Sequence, residues 1–379
     1  MKIAIVGGIY AKGGGRTDFI KISPETILEA GCRAAGHDVT TLSHYDAVDF
    51  SQFDVVHVHH LSYGAARLAS DPSTTPFVFT AHDASHMCGW KLSAARKMAM
   101  GYVLSRADAT VCLSPAEARF QHRTYRLQGA TEVTIPNGID AEQYPFRRSN
   151  GAGDGQPWRL VFAGQLIPFK RCDLAISAIA RLNLDVELTL AYQNPVLETE
   201  LRALAVSLGI ADRIKFAGKH NPAQLAELYQ RSDLLVLPSE NEALPSVITE
   251  AMLTGLPFVT TTVGGIPEQS GGFGSLLTRP TVEMLADNIA HVLKNYATYA
   301  ASSQKMSDYA RRTFSIPAMI SDHLRLYETL VGRLAQQPVR RASSHPLRPD
   351  PLIRAAVHHW GRAGHPAHRN PPVTAQERI

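Results

Sequence analysis

A chain of 379 residues, 45% hydrophobic and 19% charged with 27 Gly and 23 Pro, has the composition of an ordinary globular protein. At roughly 150 residues per domain it has room for two or three. Its formal charge of +4 is uneven, because Pro338–Ile379 holds seven Arg against Asp350 and Glu377 while the rest of the chain sums to −1. That body lacks the basic face and reading module of a nucleic-acid binder. Apolar runs such as Leu234–Pro238 are far shorter than the roughly 18 residues that span a bilayer.

Met1–Val6 runs directly into a glycine-rich turn and reads as a first strand rather than a signal peptide. Cys32, Cys88, Cys112 and Cys172 form no C-x-x-C pair and read as free thiols of a reducing cytosol. The expected location is cytoplasmic, with peripheral contact at the inner face of the membrane left open.

Short β-branched runs then alternate with helical stretches. Lys2–Val6, Asp38–Leu42, Val55–His59, Phe77–Thr80, Ala109–Leu113 and Glu132–Ile135 read as strands. Pro24–Ala35, a stretch near Lys91–Leu104 and Pro115–His122 read as helices between them. Ser149–Pro157 cannot hold a regular element and reads as a linker. The rhythm restarts with strands Arg159–Ala163, Val186–Ala191, Arg213–Phe216, Leu234–Leu237 and Phe258–Thr260. Helices Arg171–Arg181, Leu197–Ser207, Ala223–Gln230, Ser246–Thr254, Val282–Lys294 and Ile316–Leu334 accompany them.

This predicts an α/β protein of two Rossmann-like, doubly wound domains facing a cleft. Residues 1–148 form the first and 157–335 the second, whose last helix is a candidate to cross back to the first. Residues 336–379 form a basic tail read as disordered, with Leu352–Trp360 able to lie on an anionic membrane as a short amphipathic helix.

Three places carry chemistry. Gly7-Gly8 and Gly13-Gly14-Gly15 follow the first strand, where glycine lets backbone N–H groups approach a phosphate; a plain surface turn fits these residues equally well. The G-x-G-x-x-G fingerprint is absent, which disfavours a nicotinamide dehydrogenase. Gly164-Gln165-Leu166-Ile167-Pro168-Phe169-Lys170 joins a strand to a helix and places an ammonium near a helix start. Pro238–Met252 is the most informative stretch: Glu242 lies in a polar turn before a helix and Glu250 follows eight residues later inside it. A carboxylate in each place can bond sugar hydroxyls or a ribose diol, and Gly264-Gly265-Ile266-Pro267-Glu268 makes another tight turn at a strand end.

P-S-x-x-E, seven residues, E-A-M, x-x-G-x-P and G-G-x-x-E together resemble the retaining glycosyltransferases of family 4, which have the GT-B fold. The resemblance extends from Lys2 to about Leu334, with Gly36–Val39, Asp54–His59, Thr80–Asp83 and Ile135–Asp140 in the order of that family's first-lobe signatures. It implies a donor that is a nucleotide-diphosphate sugar, UDP- or GDP-linked, bound mainly by the second lobe, an acceptor bound by the first lobe, residues 1–148, and no metal or other cofactor. Lys170 would contact the diphosphate and Glu250 the ribose. Glu242, with the backbone of Ala243 and Leu244, would hold the donor sugar. Gly14 and Gly15 would close over the phosphates, and His82 would face the reacting carbon.

Two positions depart from the family. Gln165 stands where an Arg is usual, so it can donate hydrogen bonds but not neutralise charge. Ala243-Leu244-Pro245 replaces Gly-Phe-Gly, and Pro245 offers no N–H.

His57, His59 and His60 lack a third ligand at fitting spacing and read as structural, not metal-binding. Between His86 and Ala130 seven Lys and Arg face Asp108 and Glu117, a face that suits either solvent or an anionic lipid or diphosphate-linked acceptor. The activity implied is configuration-retaining hexosyl transfer to a hydroxyl of a glycan, lipid-linked or small-molecule acceptor, in envelope or exopolysaccharide assembly. A catalytically weak nucleotide-sugar binder docked to membrane assembly machinery and a nucleotide-sugar epimerase are the alternatives.

Overall fold

The computed structural model describes residues 1–11, 23–71, 73–82, 93–125, 131–147, 151–152 and 155–336. The expectations for Gly14 and Gly15, for Asp83, and for the tail beyond residue 336 fall outside this set.

Two six-stranded, all-parallel sheets organise the chain, the doubly wound α/β architecture expected from its sequence. The first is built from β1 (Lys2–Val6), β2 (Asp38–Leu42), β3 (Val55–His59), β4 (Phe77–Thr80), β5 (Ala109–Cys112) and β6 (Thr131–Thr134), in the order β2-β1-β3-β4-β5-β6. Its helices are α1 (Pro24–Ala34), α2 (Tyr63–Leu68), α3 (Ala94–Arg106) and α4 (Pro115–Tyr125). Every residue of β3 and β4 is buried, as parallel strands covered on both faces require. Helix α1 starts where Ser23 accepts from the Thr26 amide and Thr26 answers in a capping box.

The second sheet uses β7 (Trp158–Ala163), β8 (Val186–Ala191), β9 (Ile214–Gly218), β10 (Leu234–Leu237), β11 (Phe258–Thr261) and β12 (Ser275–Leu277), in the order β12-β11-β10-β7-β8-β9. Around it lie α5 (Cys172–Arg181), α6 (Glu198–Ser207), α7 (Pro222–Arg231), α8 (Ser246–Thr254), α9 (Ile266–Ser270), α10 (Val282–Lys294) and α11 (Tyr296–Phe314). Helix α12 (Ile316–Gln336) ends the described chain. The core between β7, β8, β10 and their helices is apolar, with Leu160, Phe162, Ile176, Leu188, Leu237 and Ile248 all buried.

Contacts divide the described residues into two units, one within Met1–Val111 and Gln121–Val133 together with α12 from Leu324, the other within Cys112–Phe120 and Thr134–His323. Residues 134–147, which precede the 149–157 linker of the sequence, thus pack with the second sheet. Tyr144 lies against Tyr229 and the Arg147 amide donates to the Thr254 carbonyl at 3.0 Å. The first unit in turn takes the end of α12, where the buried Tyr327 hydroxyl lies 2.6 Å from His57 Nδ1.

Four elements have no counterpart in the sequence reading: α2, α9, β12 and α11. Asn295 alone separates α10 from α11 and serves both as cap, so no Gly or Pro marks the break. Strand β12 is three residues long and α9 five, below the length at which periodicity speaks.

Candidate functional site

In the second sheet the chain runs outward from β7 to β8 and β9, then returns to place β10 on the other side of β7. The carboxyl ends of β7 and β10 therefore flank the point where strand order reverses, which is where open α/β sheets bind ligands. Gly164, at φ 155°, leaves β7, and Gln165 follows. A 3-10 turn, Pro168–Lys170, and Arg171 in the left-handed region (φ 50°) lead into α5. Arg171 is held there by Asp173 at 3.0 Å and by Glu240, and the Glu240 amide donates to the Phe169 carbonyl at 2.8 Å. These bonds tie the β7 loop to the β10 loop.

Lys170 Nζ consequently lies 2.6 Å from Glu242 Oε1, with the two side chains 18% and 7% exposed. A buried ion pair of this kind contributes little net stability, since desolvation offsets the attraction. Its value is positional: each charge fixes the other at the switch point.

The Glu242–Pro245 loop is set by the turn after β11. Gly264 adopts φ 58°, and a Cβ there would fall 1.7 Å from the Glu242 carbonyl oxygen, so only glycine lets the two backbones meet. Next to it, the Gly265 amide donates to the Ala243 carbonyl at 2.9 Å. Gln269 Nε2 donates to the Pro245 carbonyl (2.9 Å) and to Thr249 Oγ1 (2.8 Å), anchoring the start of α8.

Glu250, one turn into α8, is buried, and Tyr229 of α7 donates its hydroxyl to Glu250 Oε2 at 2.9 Å. Burial pushes the Glu250 carboxyl above the usual range, and hydrogen bonds from Tyr229, Ser246 and Tyr144 counter part of that rise. Glu250 lines a hollow of about 260 Å³ together with Gln165, Tyr192, Gln193, His220 and Ser246. The hollow is flanked by the first residues of α8, whose amides and dipole favour an anion.

Of the residues singled out in the sequence, Gln165 and Glu250 share this hollow, while Lys170 and Glu242 pair with each other. Leu244 faces a different hollow, of about 310 Å³, beside Gln269 and Tyr309.

His82 belongs to the first unit. It follows β4 with φ 54°, and its Nε2 lies 2.7 Å from His59 Nδ1, the rings nearly parallel. His57 is held between Tyr327 and Thr80 at 2.6 and 2.7 Å. Among the described residues no group of three or more His, Cys, Asp or Glu is arranged to hold a metal ion, and no helix is long and apolar enough to cross a membrane.

Sequence reasoning missed Tyr229 and Tyr144, which fix Glu250, and the Glu25–His60 pair of the first unit, at 2.7 Å. No local pattern marks a tyrosine on one helix as the partner of a carboxylate on the next. The αL residue Arg171 was equally silent, having no Gly signature.

Comparison with known proteins gives the family and the fold. Residues 145–313 match the family described as Glycosyl transferases group 1, and residues 44–143 match Glycosyltransferase Family 4. The D-inositol 3-phosphate glycosyltransferase of Stackebrandtia nassauensis is 30% identical over 322 residues, 77% of this chain and 72% of that protein. The protein of the same name from Mycobacterium tuberculosis is 30% identical over 333 residues, 81% of this chain and 68% of its own. The match to the one from Geodermatophilus obscurus, 31% identical, spans only 53% of that protein's length.

Among solved structures, the fold is similar to sucrose-phosphate synthase from Thermosynechococcus elongatus (TM-score 0.70, 18% identity, 88% of this chain and 99% of that one). It is also similar to Anabaena HepE in complex with UDP and glucose (TM-score 0.69, 18% identity, 87% and 100%). The chain belongs to the family-4, group 1 glycosyltransferases, with the two parallel sheets of the GT-B fold.

Proposed function

We propose that the protein transfers a hexosyl unit from a nucleotide-diphosphate sugar to a hydroxyl acceptor with retention of anomeric configuration and without a metal. The observation that carries the reading is the convergence at one sheet's switch point of the Glu250–Gln165 hollow, the start of α8 and the Lys170–Glu242 pair. The hollow is of a size for a nucleoside, and an ionised Glu250 there accepts hydrogen bonds from a ribose diol. The amides at the start of α8 and the Lys170 ammonium suit the diphosphate. Glu242, held by Lys170, has a second carboxylate oxygen with which to bond a sugar hydroxyl.

In this mechanism the acceptor hydroxyl attacks the anomeric carbon on the face from which the diphosphate departs. The acceptor O–C bond forms as the sugar–phosphate bond breaks, and the departing phosphate takes the hydroxyl proton. Lys170 and the α8 amides stabilise the charge that develops on that phosphate, so no separate base is required. Gln165, uncharged, contributes hydrogen bonds. A cytoplasmic role in envelope or exopolysaccharide assembly, at the inner membrane face, fits such an activity, as does a polyol acceptor of the kind named for the curated relatives.

The test is thermal stabilisation by UDP, GDP, ADP and dTDP, each with and without EDTA, followed by NMR of the anomeric proton of the product. At a hundredfold excess over Kd a ligand adds about 2.7 kcal/mol of apparent stability. One nucleotide should raise Tm regardless of EDTA, and an absence of any shift refutes the donor site. The binder alternative rests on Gln165. If it holds, Gln165→Arg raises turnover strongly; under the enzyme reading it leaves turnover unchanged or lowers it.

A further inference from the structure

The first unit has its own reversal of strand order. Its chain places β2 on one side of β1 and β3 on the other, so the carboxyl ends of β1 and β3 flank a second switch point. Two residues meet there that the donor reading leaves unused. Glu25 lies in the first turn of α1, beyond β1, and His60 directly follows β3. Glu25 Oε1 is 2.7 Å from His60 Nε2, with the carboxylate side chain 1% exposed and the imidazole 40% exposed. The carboxylate thus lies beneath, against Gly7, where a Cβ would come within 3.6 Å of Oε1, and the ring stands above it at the surface.

His60 adopts φ 64°, in the left-handed region that Gly enters freely and that Asn, Asp and His enter more often than other residues. Its amide donates to the Thr80 carbonyl at 2.9 Å, which fixes the backbone, and its ring lies 5.0 Å from that of His82. Burial alone would push the Glu25 carboxyl up. The His60 hydrogen bond, with the charge that His59, His60 and His82 carry when protonated, outweighs burial and holds it well below the usual carboxylate range. An ionised carboxylate only accepts, so Nε2 of His60 carries the proton. Nδ1, on the other side of the ring, makes no hydrogen bond among the described residues.

A carboxylate that fixes the tautomer of a partly exposed imidazole, itself held in the left-handed region at a sheet's ligand-binding edge, is more than packing requires. We propose that Glu25 and His60 orient the acceptor: His60 Nδ1 takes a hydrogen bond from a non-reacting hydroxyl of a polyol, and Glu25 is a positioning residue that acts through the ring. The inference rests on the transferase reading above, and it assigns to the first unit a residue that chooses among acceptors rather than donors.

The experiment uses the full chain, Glu25→Gln and His60→Asn, Asn being tolerated at positive φ. Two-bond ¹H–¹⁵N spectra at pH 7.5 read the His60 tautomer directly. Transfer is assayed with the sugar of whichever nucleotide stabilises the chain, and D-inositol 3-phosphate as the polyol probe. The native chain should show His60 protonated at Nε2, and Glu25→Gln should abolish that fixed preference. Both variants should raise the acceptor KM at least tenfold while leaving donor hydrolysis in the absence of acceptor, and the nucleotide-induced Tm shift, unchanged. An Nδ1-protonated or doubly protonated His60 in the native chain, or an unchanged acceptor KM in both variants, overturns the proposal. A native chain that no nucleotide stabilises refutes the donor site instead, and the tautomer measurement stands without it.

Discussion

Replacing Gly264 by Ala tests whether the position of Glu242 is set from the turn after β11. At φ 58° an L side chain costs roughly 1–2 kcal/mol in backbone energy alone. The new Cβ would also lie 1.7 Å from the Glu242 carbonyl oxygen, about half an ordinary contact distance. The loop carrying Glu242 must therefore retreat by well over 1 Å, and a misplacement of about 1 Å costs on the order of a hundredfold in rate. The control is Gly272→Ala, at φ 84° with nothing within 4 Å of its Cβ, which bears the backbone cost without the clash. Steady-state transfer and thermal melts on both variants separate the two effects. Gly272→Ala should lower Tm by a few degrees and keep native turnover. Gly264→Ala should lose at least as much Tm and about a hundredfold or more in kcat. Equal Tm losses with native turnover in both would refute the claim that this turn positions Glu242.

The remaining predictions concern charge. Glu242→Ala should abolish transfer while the fold survives, because Lys170 stays partly solvated and can relax toward water; normal turnover in that variant sinks the site. Tyr229→Phe removes a hydrogen bond to Glu250 worth about 1.5–3 kcal/mol if the carboxyl is ionised, so nucleotide Kd measured by titration should rise roughly tenfold or more. Because burial raises the Glu250 pKa, nucleotide affinity should strengthen as pH rises through that raised value; Glu250's own contribution to stability runs the other way, full at low pH and lost as pH rises. His323, buried and donating Nδ1–H to the Met319 carbonyl, has its pKa pushed down by burial to about 4. The fold favours its neutral form, so stability is complete above the ordinary pKa of 6.5 and falls as pH drops towards 4. Between pH 7 and 5 this amounts to about 2 kcal/mol, and urea melts of His323→Leu should show that slope removed.

Much of this protein is legible in one dimension. Buried parallel strands such as Leu234–Leu237 are continuous apolar or β-branched runs because both faces are covered, and that composition survives any context. The double-Glu segment is likewise local: a strand end, a polar turn and a helix put Glu242 and Glu250 eight residues apart, and their residue types announce hydroxyl chemistry. The family follows from the order of such segments, which no folding is needed to read.

What folding alone decided is which of these groups touch. Lys170 meets Glu242 across 72 residues, Tyr229 meets Glu250 across 21, and Glu25 meets His60 across 35. The first pairing depends on β7 and β10 lying side by side, the second on α7 packing against α8, and the third on β1 beside β3, an arrangement that sequence periodicity does not encode. The same holds for the end of α12, whose Tyr327 reaches His57 across 270 residues. A strand's composition reports only how deeply it is buried, so the sequence specifies the elements and their chemistry. Strand order, which brings residues remote in sequence within hydrogen-bond distance, specifies the site.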